Sequence, residues 1–166
     1  MRIAQAEQLA THLAGPLRPA YLVAGDEPLL VQEAVDQIRA ATILAGATER
    51  LVFDVVSQFD WAEWRHQVRS FGLFASRRLI ELRLTATRLA AEGAAAVVEF
   101  LNDPGGDTLL IQSPEWNKSA ESAAWVVALD RIGAVVPVYA LKPEDLPRWL
   151  LRRAARHAVR LGEDAI

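Results

Sequence analysis

The residues from Gly25 onward could bind a phosphate group, because they follow an apolar run where α/β proteins carry a glycine-rich phosphate loop. They read GDEPLLVQ. A phosphate loop has the pattern GxxxxGK followed by Ser or Thr, since glycine backbones approach the phosphates, lysine reaches the terminal ones and the hydroxyl holds magnesium. Leu30, Val31 and Gln32 stand at those three places. Beyond Gly25, the stretch has none of the groups that this chemistry needs.

The distribution of acidic residues also argues against a phosphate-binding site. Asp26 and Glu27 would repel a polyphosphate, and the later apolar run TLLIQS ends in Gln112 and Ser113 where a magnesium-holding acidic pair would stand. These absences at separate places argue against hydrolysis of a nucleoside triphosphate. We therefore expect a tight turn with a capped helix at GDE, and no cofactor.

Metal binding is not indicated by the histidines. His12, His66 and His157 are far apart in sequence, and Glu63 beside His66 is an ordinary pair three residues apart on a helix. No metal site is expected from them.

Four carboxylates fall near the ends of predicted strands and helices, where a catalytic group could stand. No nucleophile and base accompany them in a pattern that indicates catalysis. We therefore expect a solvated surface and no catalytic residue at these positions, which are Asp54, Asp60, Glu81 and Asp107.

Arginines repeat every fourth residue near the end of the chain, on a helix predicted at residues 146–161. Such a stripe is typical of a phosphate-contacting face, which would bind nucleic acid. A solvated surface opposite Trp149, Leu150, Ala154 and Ala155 explains it equally. The stripe consists of Arg148, Arg152, Arg156 and Arg160, with Arg153 beside it.

Leu73 and Phe74 are adjacent, large and apolar, yet they stand between Gly72, a predicted helix end, and the polar run 76–78, which is typical of a surface. Neighbouring residues on a helix point about 100° apart, so both cannot face the core centrally. Two interpretations remain open from the residues alone: the pair covers the domain's own core, or it binds a partner.

Composition is that of a globular protein. The 166 residues are 52% hydrophobic and 23% charged, with a formal net charge of −3 and no cysteine. A charge so close to zero gives no overall basic field toward nucleic acid or membrane, and without cysteine neither disulfides nor thiolate metal sites are available. No apolar run reaches the length of about 18 residues that a membrane span needs, so we expect a cytoplasmic protein.

Short apolar runs alternate with helical spacings along the chain. Asp60 is the predicted N-cap of one helix, and others are predicted at 90–101 and 119–132. This alternation indicates an α/β fold with a mostly parallel five-stranded sheet covered on both faces. Prolines and charges in LKPEDLPRW then indicate a boundary, with one domain at 1–140 and, at 141–166, a linker and the first helix of a second. The strands are predicted at residues 20–25, 50–56, 78–84, 108–112 and 134–139.

Several stretches together resemble the N-terminal part of the delta subunit of the bacterial DNA polymerase III clamp loader. They occur in order and span nearly the whole chain. The most specific combination is a degenerate phosphate loop, GDEPLL, followed by LFASRR before a strand. The stretches are YLVAGDEPLLVQEAVDQIR, FDW, SFGLFASRRLIELRL, NKSAESAAWVVAL and LPRWLLRRA.

The resemblance implies a RecA-like, three-layer AAA+ domain, the start of a small helical domain, and a third, collar domain that this sequence does not contain. It also implies a subunit that does not hydrolyse ATP and that binds the sliding clamp, the beta subunit, and promotes its opening. The implied loader partners are the gamma/tau ATPases and delta prime, with DNA reached through the assembled loader.

Residue by residue, Leu73 and Phe74 match the pair that inserts into a hydrophobic pocket of the clamp in that family, and we expect Phe71, Ser76 and Arg77 to accompany them. Two other functions remain as alternatives: an ATPase domain with a divergent phosphate loop, and a nucleic-acid-binding module that uses the arginine stripe.

Overall fold

The structure is a computed structural model that describes residues 1–3, 6–70, 77–85, 88–156, 158–160 and 162, without the side chains of Ala6, Glu7 and Arg156. The strands are β1 (Ala20–Ala24), β2 (Glu49–Val55), β3 (Arg78–Leu84), β4 (Thr108–Ser113) and β5 (Ala134–Pro137). The helices are α1 (Ala6–Leu13), α2 (Pro28–Leu44), α3 (Trp61–Arg69), α4 (Ala91–Asn102), α5 (Lys118–Glu121), α6 (Ala124–Ile132) and α7 (Leu146–Arg156), the last preceded by a 3₁₀ turn at Pro143–Asp145.

The strands form one sheet in the order β2-β3-β4-β1-β5, and every pairing is parallel. The predicted parallel five-stranded α/β fold is thereby confirmed. All strands begin at one edge of the sheet, called here the amino edge, and end at the other, the carboxyl edge. Ligands of open parallel sheets bind at the carboxyl edge, so the two edges have different expected roles.

Helices cover both faces of the sheet, because the central strands are apolar on both sides. On one face α1 and α2 pack on a core that includes Tyr21, Val35 and Leu110. On the other, α3, α4 and α6 pack on a larger core that includes Trp64 and Leu82. Strands β3 and β4 therefore contribute buried residues to both cores.

Some predicted helix bounds are wrong. The helix expected at 119–132 is two helices, α5 and α6, separated by Ser122 and Ala123, and the backbone of Ala123 is extended. The helix expected at 146–161 ends at Arg156, and Ala158 has a φ of 54°. Helical spacing persists in both stretches, but the spacing alone does not show where the backbone leaves the helix. The domain boundary after residue 140 stays a prediction.

In the described part of the chain, no helix combines the length and the apolar character needed to cross a membrane.

Candidate functional site

The candidate partner-binding site lies at the amino edge of the sheet, where α3 ends and β3 begins. Of the residues predicted to form it, Phe71, Leu73, Phe74 and Ser76 lie outside the described residues. Arg77 is described and is exposed. The surroundings of the site are therefore built from the residues on either side of 71–76.

Helix α3 leads into the site, and its position follows from its sequence. The Asp60 carboxylate accepts a hydrogen bond from the backbone N–H of Glu63 at 2.8 Å, which confirms the predicted N-cap. Trp61, Trp64 and Val68 recur at helical spacing and are buried against the sheet. The helix is thus fixed at its start and along one face up to Ser70, whose backbone is extended.

Arg78, the first residue of β3, holds the end of α3. Its guanidinium donates hydrogen bonds to the carbonyl oxygens of Ser70 at 2.8 Å, Gln67 at 3.4 Å and Val68. These carbonyls belong to the last turn of the helix and the residue after it, where the helix itself supplies no partners. Arg78 is only 6% exposed, so its predicted place in a polar surface run is wrong.

Asp107, the residue before β4, is the counter-ion of Arg78. One carboxylate oxygen accepts from Arg78 Nη2 at 2.6 Å and from Nε at 3.0 Å, and the other accepts from the Arg78 backbone N–H at 2.8 Å. Asp107 is 9% exposed, so the prediction of a solvated carboxylate is wrong here. The sequence does not show this pairing, because the two residues are 29 positions apart and only the strand order brings the starts of β3 and β4 together.

Glu81 also contradicts the prediction of a solvated carboxylate. It is fully buried in β3 and accepts hydrogen bonds from Arg39 at 2.9 and 3.0 Å and from Arg50 at 2.6 and 3.0 Å. Burial alone would raise the pKa of its carboxyl, but the bonds to the two guanidinium groups outweigh burial and lower that pKa to about 2. Asp54 and Asp60 are exposed, as expected.

Arg77 contacts the turn between α2 and β2. Its Nη1 donates to the carbonyl of Ala45 at 3.2 Å, and its own carbonyl accepts from the backbone N–H of Thr48 at 3.1 Å. The last residues of α2 beside this contact, Ile43 and Leu44, are exposed aliphatic side chains. The described part of the amino edge thus combines exposed apolar and cationic groups, a combination suited to binding a protein surface.

The carboxyl edge, by contrast, is packed against itself at the turn after β1. A Cβ on Gly25 would lie 2.2 Å from the carbonyl oxygen of Val138. The absence of a side chain at Gly25 therefore allows the two backbone segments to approach each other this closely. Glu27 is at the N-cap of α2 but makes no side-chain capping bond, and Pro28 follows at the first helical position. The chain bends at Asp26, where a tight turn is predicted, whereas the predicted side-chain cap is absent.

The end of β4 carries the residues that replace an acidic pair. Ser113 is buried, and its hydroxyl donates to the carbonyl of Glu115 at 3.3 Å. Within the described residues, the side-chain nitrogen of Gln112 is buried without a hydrogen-bond partner. Neither side chain offers the carboxylate that magnesium prefers.

The arginine stripe is interrupted in the structure. Arg160 lies beyond the end of α7, and Arg153 pairs with Glu33 of α2 while its guanidinium lies 5.4 Å from the ring centre of Trp149. Arg148 and Arg152 line a cleft of about 560 Å³ between α7 and α2. Helix α7 therefore carries three members of the predicted stripe, Arg148, Arg152 and Arg156, and the fourth, Arg160, lies outside it.

The described histidines do not gather with other ligands. His12 lies with Nε2 3.2 Å from the Tyr21 hydroxyl, and burial, with the charge of Arg18, lowers its pKa. Glu63 accepts a hydrogen bond from Gln67 at 2.7 Å, four residues away. Where the structure describes the chain, no three His, Asp or Glu side chains are grouped to hold a metal ion. His157 lies outside the described residues.

Comparison with known proteins gives a family match. A family model described as DNA polymerase III, delta subunit, matches residues 21–138. The chain is 32% identical over 163 residues to DNA polymerase III subunit delta of Escherichia coli K12, and the alignment covers 96% of this chain and 47% of that protein. The chain spans about half the length of the curated relatives it matches.

Solved structures show the same fold. The Bacillus subtilis DNA clamp loader delta protein superposes with a TM-score of 0.68 at 17% identity, over 92% of this chain and 48% of that one. RuvB of Thermotoga maritima superposes with a TM-score of 0.54 at 12% identity, over 96% and 52%. At these identities the likeness establishes the fold alone, a parallel α/β sheet with helices on both faces, in agreement with the predicted fold class.

Proposed function

Because the chain belongs to the delta-subunit family of DNA polymerase III, we propose that it binds the sliding clamp and promotes its opening for loading onto primed DNA. In this proposal the chain performs no catalysis itself. It acts in the cytoplasm, as a component of the clamp loader, with the loader ATPases and delta prime as partners, and it reaches DNA through the assembled loader.

The proposed clamp anchors are Leu73 and Phe74, with Phe71, Ser76 and Arg77 around them. The observation that carries the assignment is the exposure of the residues on both sides, Ser70 and Arg77, at the amino edge. Large apolar residues whose described neighbours on both sides are exposed are good candidates for binding a partner. An apolar anchor ringed by polar residues is a common form of interaction hot spot.

Such an anchor would supply a substantial share of the binding free energy. Burying each of the two side chains in a pocket of the clamp would contribute roughly 1.5–3 kcal/mol. Truncating a hot-spot residue typically costs at least about 2 kcal/mol of binding, a loss of about thirtyfold in affinity. Truncating a core Leu or Phe instead costs about 2–5 kcal/mol of folding stability.

The test is therefore which of two measurements changes. We expect Leu73→Ala with Phe74→Ala to nearly abolish binding in a titration with purified sliding clamp, and to leave the melting temperature almost unchanged. Val127→Ala, which removes exposed aliphatic surface on α6, is the matched control and should bind normally. A large fall in melting temperature with clamp affinity retained would show that the pair belongs to the core.

A further inference from the structure

We propose that Arg78 and Asp107 are positioning residues for clamp binding: their buried ion pair holds both ends of the chain around residues 71–76 in fixed places. The inference rests on the proposed function, since residues 71–76 include the proposed anchors. Neither Arg78 nor Asp107 needs to touch the clamp. They act through the backbone on either side of the segment.

The backbone before residue 71 is held through its carbonyl groups. Arg78 Nη1 bonds the carbonyl of Ser70 at 2.8 Å, and the carbonyls of Gln67 and Val68 are bound by the same guanidinium. All three guanidinium nitrogens are engaged, since Nε and Nη2 also bond Asp107. A planar group with donors in a fixed fork cannot shift one of these contacts without shifting the others.

The backbone after residue 76 is held at Arg78 through Asp107. Its second carboxylate oxygen accepts the backbone N–H of Arg78 at 2.8 Å, and its own backbone N–H donates to the carbonyl of Pro104 at 2.9 Å. Arg78 also begins β3, whose neighbour in the sheet is β4, directly after Asp107. One carboxylate therefore fixes both the backbone and the side chain of the residue that ends this stretch.

The expected consequence is a smaller ordering cost on binding. A segment whose ends are already placed loses less conformational freedom when its side chains enter a partner's pocket than one whose ends can drift. Arg78 and Asp107 are both buried, so solvent screens their attraction little. Removing either charge should leave the apolar anchors intact but less well placed, and weaken clamp binding by about tenfold.

The experiment compares Asp107→Asn with Glu81→Gln in a titration of the whole chain against purified sliding clamp, at a temperature where circular dichroism shows both folded. Both replace a buried, arginine-paired carboxylate with an amide, and Glu81 lies in the same strand as Arg78. We expect about tenfold weaker binding for Asp107→Asn and unchanged binding for Glu81→Gln. Equal affinities in the two variants would overturn the inference.

A milder variant guards against unfolding. Arg78→Lys keeps the charge, but one ammonium nitrogen with three donors cannot reproduce the five bonds that the planar guanidinium makes, so it should also weaken binding. Combining it with Phe74→Ala should cost less than the sum of the two single losses, because both act on one segment. Strict additivity would refute the positioning role.

Failure of this inference can be told apart from failure of the proposed function. If Leu73→Ala with Phe74→Ala weakens binding while Asp107→Asn and Arg78→Lys do not, this inference fails and the proposed function stands. If the unmodified chain does not bind the clamp, both fail.

Discussion

At the scale of single residues, the buried carboxylate of Glu81 makes stability depend on pH. Its pKa in the folded chain is about 2, below the ordinary value of 4.5, because Arg39 and Arg50 outweigh the effect of burial. A lowered pKa means that stabilisation is present above about pH 5 and is lost as the pH falls toward 2, with a size on the order of 3 kcal/mol. Urea unfolding at about pH 6 and about pH 3 should therefore show a larger loss of stability for the unmodified chain than for Glu81→Gln. Parallel losses in the two proteins would contradict this account.

At the scale of elements, α3 and α4 meet where Gly93 faces the indole of Trp61. A Cβ on Gly93 would lie 2.5 Å from the ring of Trp61, which is buried and cannot move aside easily. Alanine is the better helix former by up to about 1 kcal/mol, but overpacking a core costs about 1–3 kcal/mol. We expect Gly93→Ala to lower the free energy of unfolding in urea. Gly15→Ala is the control, because its Cβ would meet one carbonyl at an ordinary 3.5 Å. A stabilised Gly93→Ala variant would show that the two helices can separate at no cost.

At the scale of the whole molecule, the two edges of the sheet differ in what they can bind. The proposed clamp anchors belong to the amino edge, whereas a nucleotide would need the carboxyl edge, where Gly25 packs on Val138 and Asp26 repels phosphate. We therefore expect calorimetry with magnesium-ATP to detect no binding, and Val31→Lys alone not to create it. Micromolar binding by the unmodified chain would overturn the non-catalytic part of the proposal.

Some features of the candidate site can be predicted from the sequence, and others cannot. The apolar pair at 73–74, its polar neighbours and the missing phosphate loop could be interpreted from residue types alone. The roles of Arg78 and Asp107 could not, because they are separated by 29 positions and each is typical of a surface when considered singly. A charged residue is buried when a partner compensates its charge, and only the folded structure shows which residue that partner is.

The sequence by itself determined the fold class, since alternating apolar strands and helical spacings permit few arrangements other than a parallel sheet covered on both faces. It also determined that the residues of a phosphate loop are absent after Gly25, since that motif depends on residue type and local spacing. Only the tertiary structure decided which charged residues are buried, where α5 and α7 end, and how the start of β3 is tied to the end of α3. Those features depend on contacts between strands and helices distant in sequence, and local propensity carries no information about such contacts.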